Sequence, residues 1–261
     1  MGVPFAAGIS MRCSAHLLLL PLFLVGASLH AQQFATRCHA SSSYDLTVQP
    51  DRLIFDRPAP APQQLVLRDG ALRADGAAVS LRAEDQDRLA VFERELRNLL
   101  PRVRTVGRHA VDMAVQALRA EAAGMQLSAA AQAALDRQLT ADAAEVRQRI
   151  DRSNSTHDWQ GGAAEQLANR IVADLSPIVA GDLGQQALQA AMSGDLETAA
   201  RLRDQAADLA TALRPRLERR MQALAPQVDA LCPSIERLAE LQQGVRGADG
   251  QPLRLLQLDA R

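Results

Sequence analysis

Lysine is missing from this sequence: all 29 of its basic residues are arginine. A codon bias toward G and C accounts for that, yet the chemical consequence stands. Walker-A phosphate binding, lysine Schiff bases and Ser/Lys dyads all need an ε-amine, so none of them is open to this chain. Aromatic residues make up only 3% of the chain, which leaves the core to aliphatic side chains. The formal charge of −1 provides no basic surplus for a nucleic-acid partner, and the arginines are spread rather than clustered. Alanine, leucine and valine are abundant, with Arg, Gln, Asp and Glu between them, the composition of helices packed through narrow Ala/Leu faces. With 261 residues and 48% apolar content, the chain is long enough for one or two domains with a real core and too apolar to be disordered throughout.

Long apolar runs are scarce. The run Leu17 to Val25, with Arg12 just before it and Ala31 after it, has the charged, hydrophobic, small-residue order of a secretory signal. Met11 is the expected start, because Met1 to Ser10 carry no charge and Arg12 would then sit against the apolar segment. Cleavage after Ala31 leaves Gln32 as the mature terminus, with cleavage after Ala27 as the alternative. The run contains Pro21 and falls short of the ~20 apolar residues of an uncleaved anchor, and no later segment could span a bilayer. Cys13 precedes the run and Cys38 follows Ala35, Thr36 and Arg37, which disfavours a lipoprotein signal. Removing residues 1–31 takes one arginine and no acid, so the formal charge becomes 28 − 30 = −2. The expected compartment is the periplasm, with release from the cell as the alternative.

Cysteine is equally sparse. Of the three, Cys13 leaves with the signal, and Cys38 and Cys232 remain to pair in an oxidising compartment. The competing metal site of Cys38, His39 and Cys232 lacks the close Cys or His spacing that preorganises a cation site. A redox-active pair is disfavoured as well, since catalytic dithiols normally sit in one short turn.

The hydrophobic pattern divides the mature chain. Tyr44 to Leu81 alternates at Leu46/Val48, Leu53/Phe55 and Leu65/Leu67, and Asp69-Gly70 and Asp75-Gly76 supply the turns of a small β-meander. The Pro58 to Pro62 stretch is expected to be a connecting loop. From Glu84 the period becomes helical through Leu89, Phe92, Leu96, Leu99, Val103, Val106, Ala110, Met113 and Ala117, with a kink or short break expected near Leu100 because of Pro101 and an end at Gly124. Ser128 is placed to cap a second helix with a face through Leu135, Leu139, Val146 and Ile150. Ser153 to Gly162 is expected to be a loop. A third helix follows through Leu167, Ile171 and Leu175, with Pro177, Gly181 and Gly184 expected to interrupt it before a short Ala/Leu helix ends near Gly194. From Leu196 to Leu241 the apolar step is about 3.5 residues, close to a coiled-coil seam, broken by Pro215, Pro226 and Pro233 into kinked or consecutive helices. After Gly244 the chain is expected either to stay flexible or to add Leu253 to Leu258 as a strand to the N-terminal sheet.

The expected fold is therefore α+β and mainly α: a signal over residues 1–31, a small N-terminal β-meander over 32–82, a long-helix bundle or helical hairpin over 83–244, and a tail over 245–261. The run LVLRDGALRADGAAVSL (Leu65 to Leu81), the later ELRNLLP (Glu95 to Pro101) and single cysteines near both mature ends resemble the YggN-like family of exported bacterial proteins. That resemblance spans most of the mature chain and implies compartment and architecture. It implies no reaction, because the family is one of unknown function.

Chemistry-bearing residues are few. The histidines left after cleavage are His39, His109 and His157, and none stands in a triad, zinc or Cys-x-x-Cys motif. His109 and Asp112, three residues apart on an expected helix, can share a face, and a surface or boundary pair is a better reading than a catalytic dyad. Arg214, Arg216, Arg219 and Arg220 offer a patch for an anionic surface, but Glu218 and Asp208 make a solvated face the better reading. Asn154-Ser155-Thr156 matches a glycosylation sequon, of little meaning in a bacterial envelope. The densest cluster is His157, Asp158 and Trp159, where tryptophan would cover an apolar ligand and His and Asp would orient it; the plainer alternative tucks Trp159 into the bundle. No catalytic, cofactor or metal residue is assigned. The expected function is a noncatalytic envelope protein acting as a binding, scaffolding or chaperone-like helical module, with another envelope protein as the expected kind of partner. A periplasmic small-ligand carrier is the alternative, ahead of an enzyme with an unrecognised site.

Overall fold

The computed structural model describes residues 37–159 and 163–258. The secretory signal, the Met11 start, Cys13 and the Gln32 terminus lie outside the described residues. Where the chain is described, an antiparallel sheet is followed by helices packed on one another, and β1 (Ala40–Ser41) stands apart from that sheet.

The sheet is a meander of β2 (Asp45–Val48), β3 (Leu53–Asp56), β4 (Gln64–Arg68), β5 (Ala71–Ala74) and β6 (Ala77–Ala78), each strand paired with the next. Asp69 and Gly70 both have positive φ (50° and 79°), as do Asp75 and Gly76 (46° and 82°), the backbone a two-residue hairpin needs to match the twist of its strands. Alternation puts Leu53, Phe55, Leu65, Leu67, Leu72 and Ala74 on the buried face, while the opposed positions Asp45, Asp56 and Gln64 form a polar row on the other.

The spine of the molecule is α1 (Ala83–Ala123), about 60 Å long. Its first turns press Leu89, Phe92 and Leu96 into the sheet's buried face, its middle packs Val106 on Val228 and Leu231, and its end joins a bundle core at Ala122. That bundle adds α2 (Ala129–Arg152), α3 (Ala163–Met192) and α4 (Leu196–Met221). Both α1 and α3 pack against α2 and α4, so α3 lies diagonally across from the spine and keeps one face outward. Ser128 caps α2 as expected, its Oγ accepting the Ala131 N–H at 3.2 Å.

No helix is broken at three of the expected positions. Helix α1 runs without a break through Pro101, α3 runs through Pro177, Gly181 and Gly184, and α4 runs through Pro215. All three prolines are exposed, so the carbonyl deprived of its partner can turn to water, and packing on both sides outweighs a local penalty of ~3 kcal/mol. The other two prolines start helices: Pro226 and Pro233 stand in the first turns of α5 (Ala225–Asp229) and α6 (Cys232–Gln242), where a missing N–H has no helical partner to lose. A 3-10 turn, Gln222–Leu224, separates α4 from α5.

The segment after Gly244 is neither loose nor part of the meander. Val245, Leu253 and Leu255 are buried in the core beneath the sheet, and β7 (Gln257–Leu258) pairs with β1 as a separate two-stranded ladder. Buried Gln242 holds the segment, its Oε1 accepting the N–H groups of Leu255 and Leu256 at 2.8 and 3.1 Å and its Nε2 donating to Leu256 O.

Candidate functional site

All three residues of the expected ligand loop lie on the 3-10 turn Thr156–Trp159 after α2. Just before that turn the chain runs along the open edge of β2. Asn154 O accepts the Val48 N–H at 2.7 Å, Thr156 Oγ1 accepts the Leu46 N–H at 2.9 Å, and the hydroxyls of Thr47 and Ser155 meet at 2.9 Å. The triplet that matches a sequon thus caps a sheet edge whose backbone groups would otherwise stand unpaired.

The turn is held from both sides. His157 Nδ1 lies 3.3 Å from Asp45 Oδ2, an ion pair when the imidazole is protonated. Asp158 accepts the Arg149 guanidinium through its backbone carbonyl at 2.8 Å, and the same guanidinium carbon stands 5.3 Å from the centre of the Trp159 ring. The half-buried Trp159 donates its indole N–H to Ser153 Oγ at 2.8 Å. A cleft of about 420 Å³ opens beside His157, lined also by Asp45, Asp56, Arg57, Gln63 and Gln64. Several of its polar groups are engaged within the protein. Asp56 accepts from Gln64 at 3.0 Å, Asp45 accepts from Thr156 at 3.2 Å, and Arg57 donates to the carbonyls of Pro62 and Ala61 at 3.1 and 3.2 Å. Arg57 also lies 4.2 Å over the Tyr44 ring, where burial pushes the phenol pKa up and the guanidinium opposes that shift.

A second feature lies at the far end of the bundle. The α1–α2 turn is tied to α3 where Asp182 accepts the Ser128 N–H at 2.9 Å and its hydroxyl at 2.5 Å, and where Gln186 donates to Gln126 O at 3.4 Å. The two Ser128 bonds, with Gln186 Nε2 also donating to Asp182 at 2.7 Å, hold the Asp182 carboxyl below its ordinary pKa. Beyond Gln186, α3 continues for 192 − 186 = 6 residues, and 191–197 are all exposed. The α3–α4 hairpin is therefore a prong, and Leu188, Met192 and Leu196 on it are 61%, 80% and 69% exposed. Its outward face runs through Pro177, Gly181, Gly184, Leu188 and Met192 at helical spacing. From Leu183 to Leu196 the only charged residue is Asp195, and it caps α4 by accepting the Thr198 N–H at 3.0 Å. In a chain of which 23% is charged, an exposed helix face this long without charge, carrying Leu188 and Met192, is poorly adapted to water.

The sequence reading missed this face by treating Pro177, Gly181 and Gly184 as interruptions. The charge-free run from Leu183 to Gly194 was the signal that marks it. The other candidates lie elsewhere in the fold. Asp112 accepts from Arg147 at 2.5 Å while His109 is exposed; Arg216 and Arg220 both lie 3.2 Å from Glu121, and Arg219 is exposed. The side chain of Arg214 lies outside what the structure describes. Cys38 and Cys232 are joined in a disulfide across 194 residues of chain, with Arg37 forking onto Asp229 beside them at 2.7 Å; His39 follows with a positive φ of 49°. Among the described residues, no group of three or more His, Cys, Asp or Glu is placed to hold a metal ion.

A family model described as a protein of unknown function, DUF2884, matches residues 38–255, from the first disulfide cysteine to the buried Leu255. The chain belongs to the DUF2884 family. No curated protein and no solved structure matches this DUF2884 chain. The match covers the sheet, the bundle and the prong, so all of them are parts of the DUF2884 region.

Proposed function

We propose that this DUF2884 protein is a noncatalytic binding module of the bacterial envelope, resident in the periplasm, whose helical bundle acts in a scaffolding or chaperone-like way. The observation that carries the reading is the prong: a helical hairpin anchored by Asp182 and Ser128 that extends an uncharged outward face past the rest of the bundle. A monomer that used this face only for its own stability would bury it.

The compartment is supported by the Cys38–Cys232 disulfide and by the signal-like run Leu17 to Val25. No described helix is long and apolar enough to cross a membrane. The likeness to the YggN-like family of exported proteins supports the same placement. The carrier alternative would use the cleft beside His157, where Asp45 already accepts from Thr156, Asp56 from Gln64, and Arg57 donates to the Pro62 and Ala61 carbonyls, so the prong supports the binding reading better.

Site-specific photocrosslinking tests the proposal. A photoreactive residue in place of Leu188, in the protein produced in its native envelope, should give discrete adducts that the same residue in place of exposed Arg137 on α2 does not. Equal labelling from the two positions, or none from position 188, would reject a binding face on the prong.

A further inference from the structure

We infer that the occupant of the prong's outward face is a short apolar segment of another polypeptide, flanked by cationic residues. The inference rests on the binding reading above and names its partner class.

Size separates the candidates first. From Pro177 to Met192 the face is about 24 Å long and about 10 Å wide, or about 240 Å² on one side, whereas a stable dimer needs about 800 Å² from each copy. A second copy of the chain seated on this face alone is thus a poor fit. A short segment is a good one, because Gly181 and Gly184 have nothing within 4 Å of where a Cβ would stand, so a backbone or a bulky side chain can approach the helix axis closely between Pro177 and Leu188. Leu188 and Met192, one turn apart, then supply the apolar grip, and the unbranched methionine adapts to side chains of different shape.

Charge separates polypeptide from membrane. An amphipathic helix that settles on anionic lipid carries arginine or lysine along its polar border. Here, in a chain with 29 arginines, none occurs between Ile171 and Thr198, where α3 and the hairpin tip carry Asp174, Asp182, Asp195 and Glu197; beyond that span Arg170 is paired with Glu145 and Arg203 with Asp204, and with Arg201 counted the surroundings of the face stay net acidic. That border repels an anionic headgroup. It attracts the arginines and lysines that commonly flank apolar segments, and a contact this small and uncharged at its centre releases its occupant quickly, which suits transient holding.

Fluorescence anisotropy on the full mature protein tests the inference, with a labelled peptide of Leu, Phe and Val residues bearing arginines at both ends as the probe. Binding is expected, and the Leu188→Gln/Met192→Gln double variant should weaken it about tenfold or more. A peptide with the same arginines around Ser and Gly should not bind. Both substituted positions are exposed, so circular dichroism should show an unchanged fold. A second variant, Gly184→Leu, fills the gap without removing an apolar group and should also weaken binding. Three results would overturn the inference: equal binding by wild type and the double variant, no peptide binding by the wild type whether or not it sediments as a dimer that the double variant does not form, or no peptide binding while the wild type floats with phosphatidylglycerol vesicles. Adducts from position 188 in the envelope together with any of these would sink the partner class and leave the binding face standing; absence of those adducts would sink the face itself.

Discussion

The buried carboxylate of Glu93, on the first long helix, accepts the backbone N–H of Asp69 at 2.8 Å. That bond ties the hairpin turn Asp69-Gly70 to the helix that underlies the sheet, and Arg97, one turn on, supplies the counter-charge to Glu93 at 2.8 Å. Gly70 completes the junction from the other side, where an added Cβ would collide with the carbonyl oxygen of Gln86.

Substitution at this junction should separate two glycines that look alike in sequence. Gly76→Ala pays only for a left-handed backbone, about 1–2 kcal/mol, because nothing lies within 4 Å of its Cβ position. Gly70→Ala adds a collision with helix backbone and should lose clearly more, as should Glu93→Ala at about 1–3 kcal/mol for the orphaned N–H. Chemical denaturation of the variants measures the order; equal losses at Gly70 and Gly76 would show that the sheet does not rest on α1 as described.

The disulfide should be a structural clip. It closes 194 residues of chain, for which chain entropy credits up to about 5 kcal/mol, and it fixes Cys38 and the adjoining strand β1 to the start of α6. The Cys38→Ser/Cys232→Ser variant should melt at a markedly lower temperature, and nonreducing peptide mapping of envelope-derived protein should recover the two cysteine peptides joined. Free thiols at both positions would contradict the link.

Trp159→Ala should lose about 1–2 kcal/mol, below the roughly 3–5 kcal/mol typical of a fully buried aromatic, since the ring is half-buried and held by Ser153 and Arg149. Thermal melting checks this. A loss at the upper figure would mean that the indole is a core element and not an edge contact.

The pH response should carry opposite signs at two aspartates. Asp182 is held below its usual pKa by Ser128 and Gln186, so its stabilisation is complete above the ordinary carboxylate range and disappears as pH falls through the depressed value. Asp142 is pushed up by desolvation, with Asp174 and Glu145 adding to the shift against Gln138 and Arg170, and one of its oxygens is buried without a partner. Its charge therefore opposes folding at neutral pH, and that opposition is relieved on acidification. Asp142→Asn should stabilise at pH 7 with a gain that shrinks toward acid pH, whereas Asp182→Asn should destabilise at pH 7 and less so in acid. Denaturation midpoints across pH settle both; the same sign for the two variants would refute the assignment.

The arginine-only composition has a structural correlate that no pattern announced. Arg88, Arg102 and Arg104 donate to Glu240 O, Ala230 O and Ser153 O, each near the end of a helix, at 3.0, 2.8 and 2.6 Å. Such bonds add a donor to carbonyls at helix C-termini, where the helix dipole favours positive charge. They join elements up to 152 residues apart in sequence, so only the folded chain could reveal them.

Local chemistry by itself determined the strands, the two Asp-Gly hairpins, the Ser128 cap and the mainly helical class, because each depends on backbone preferences and periodicities contained within a few residues. The cysteine pair was legible too, since only two candidates remained once the signal was set aside. Tertiary structure decided the rest. Whether Pro101, Pro177 and Pro215 break their helices depends on packing energy gathered from neighbours far away in sequence, and on whether the orphaned carbonyl faces water. Whether Asn154 to Thr156 are loop or sheet cap depends on an open strand edge more than a hundred residues earlier. Whether Leu188 and Met192 are core or surface depends on where the α1–α2 turn ends relative to α3, and no periodicity within α3 encodes that, because an apolar helix reads the same buried or exposed until its neighbours are placed.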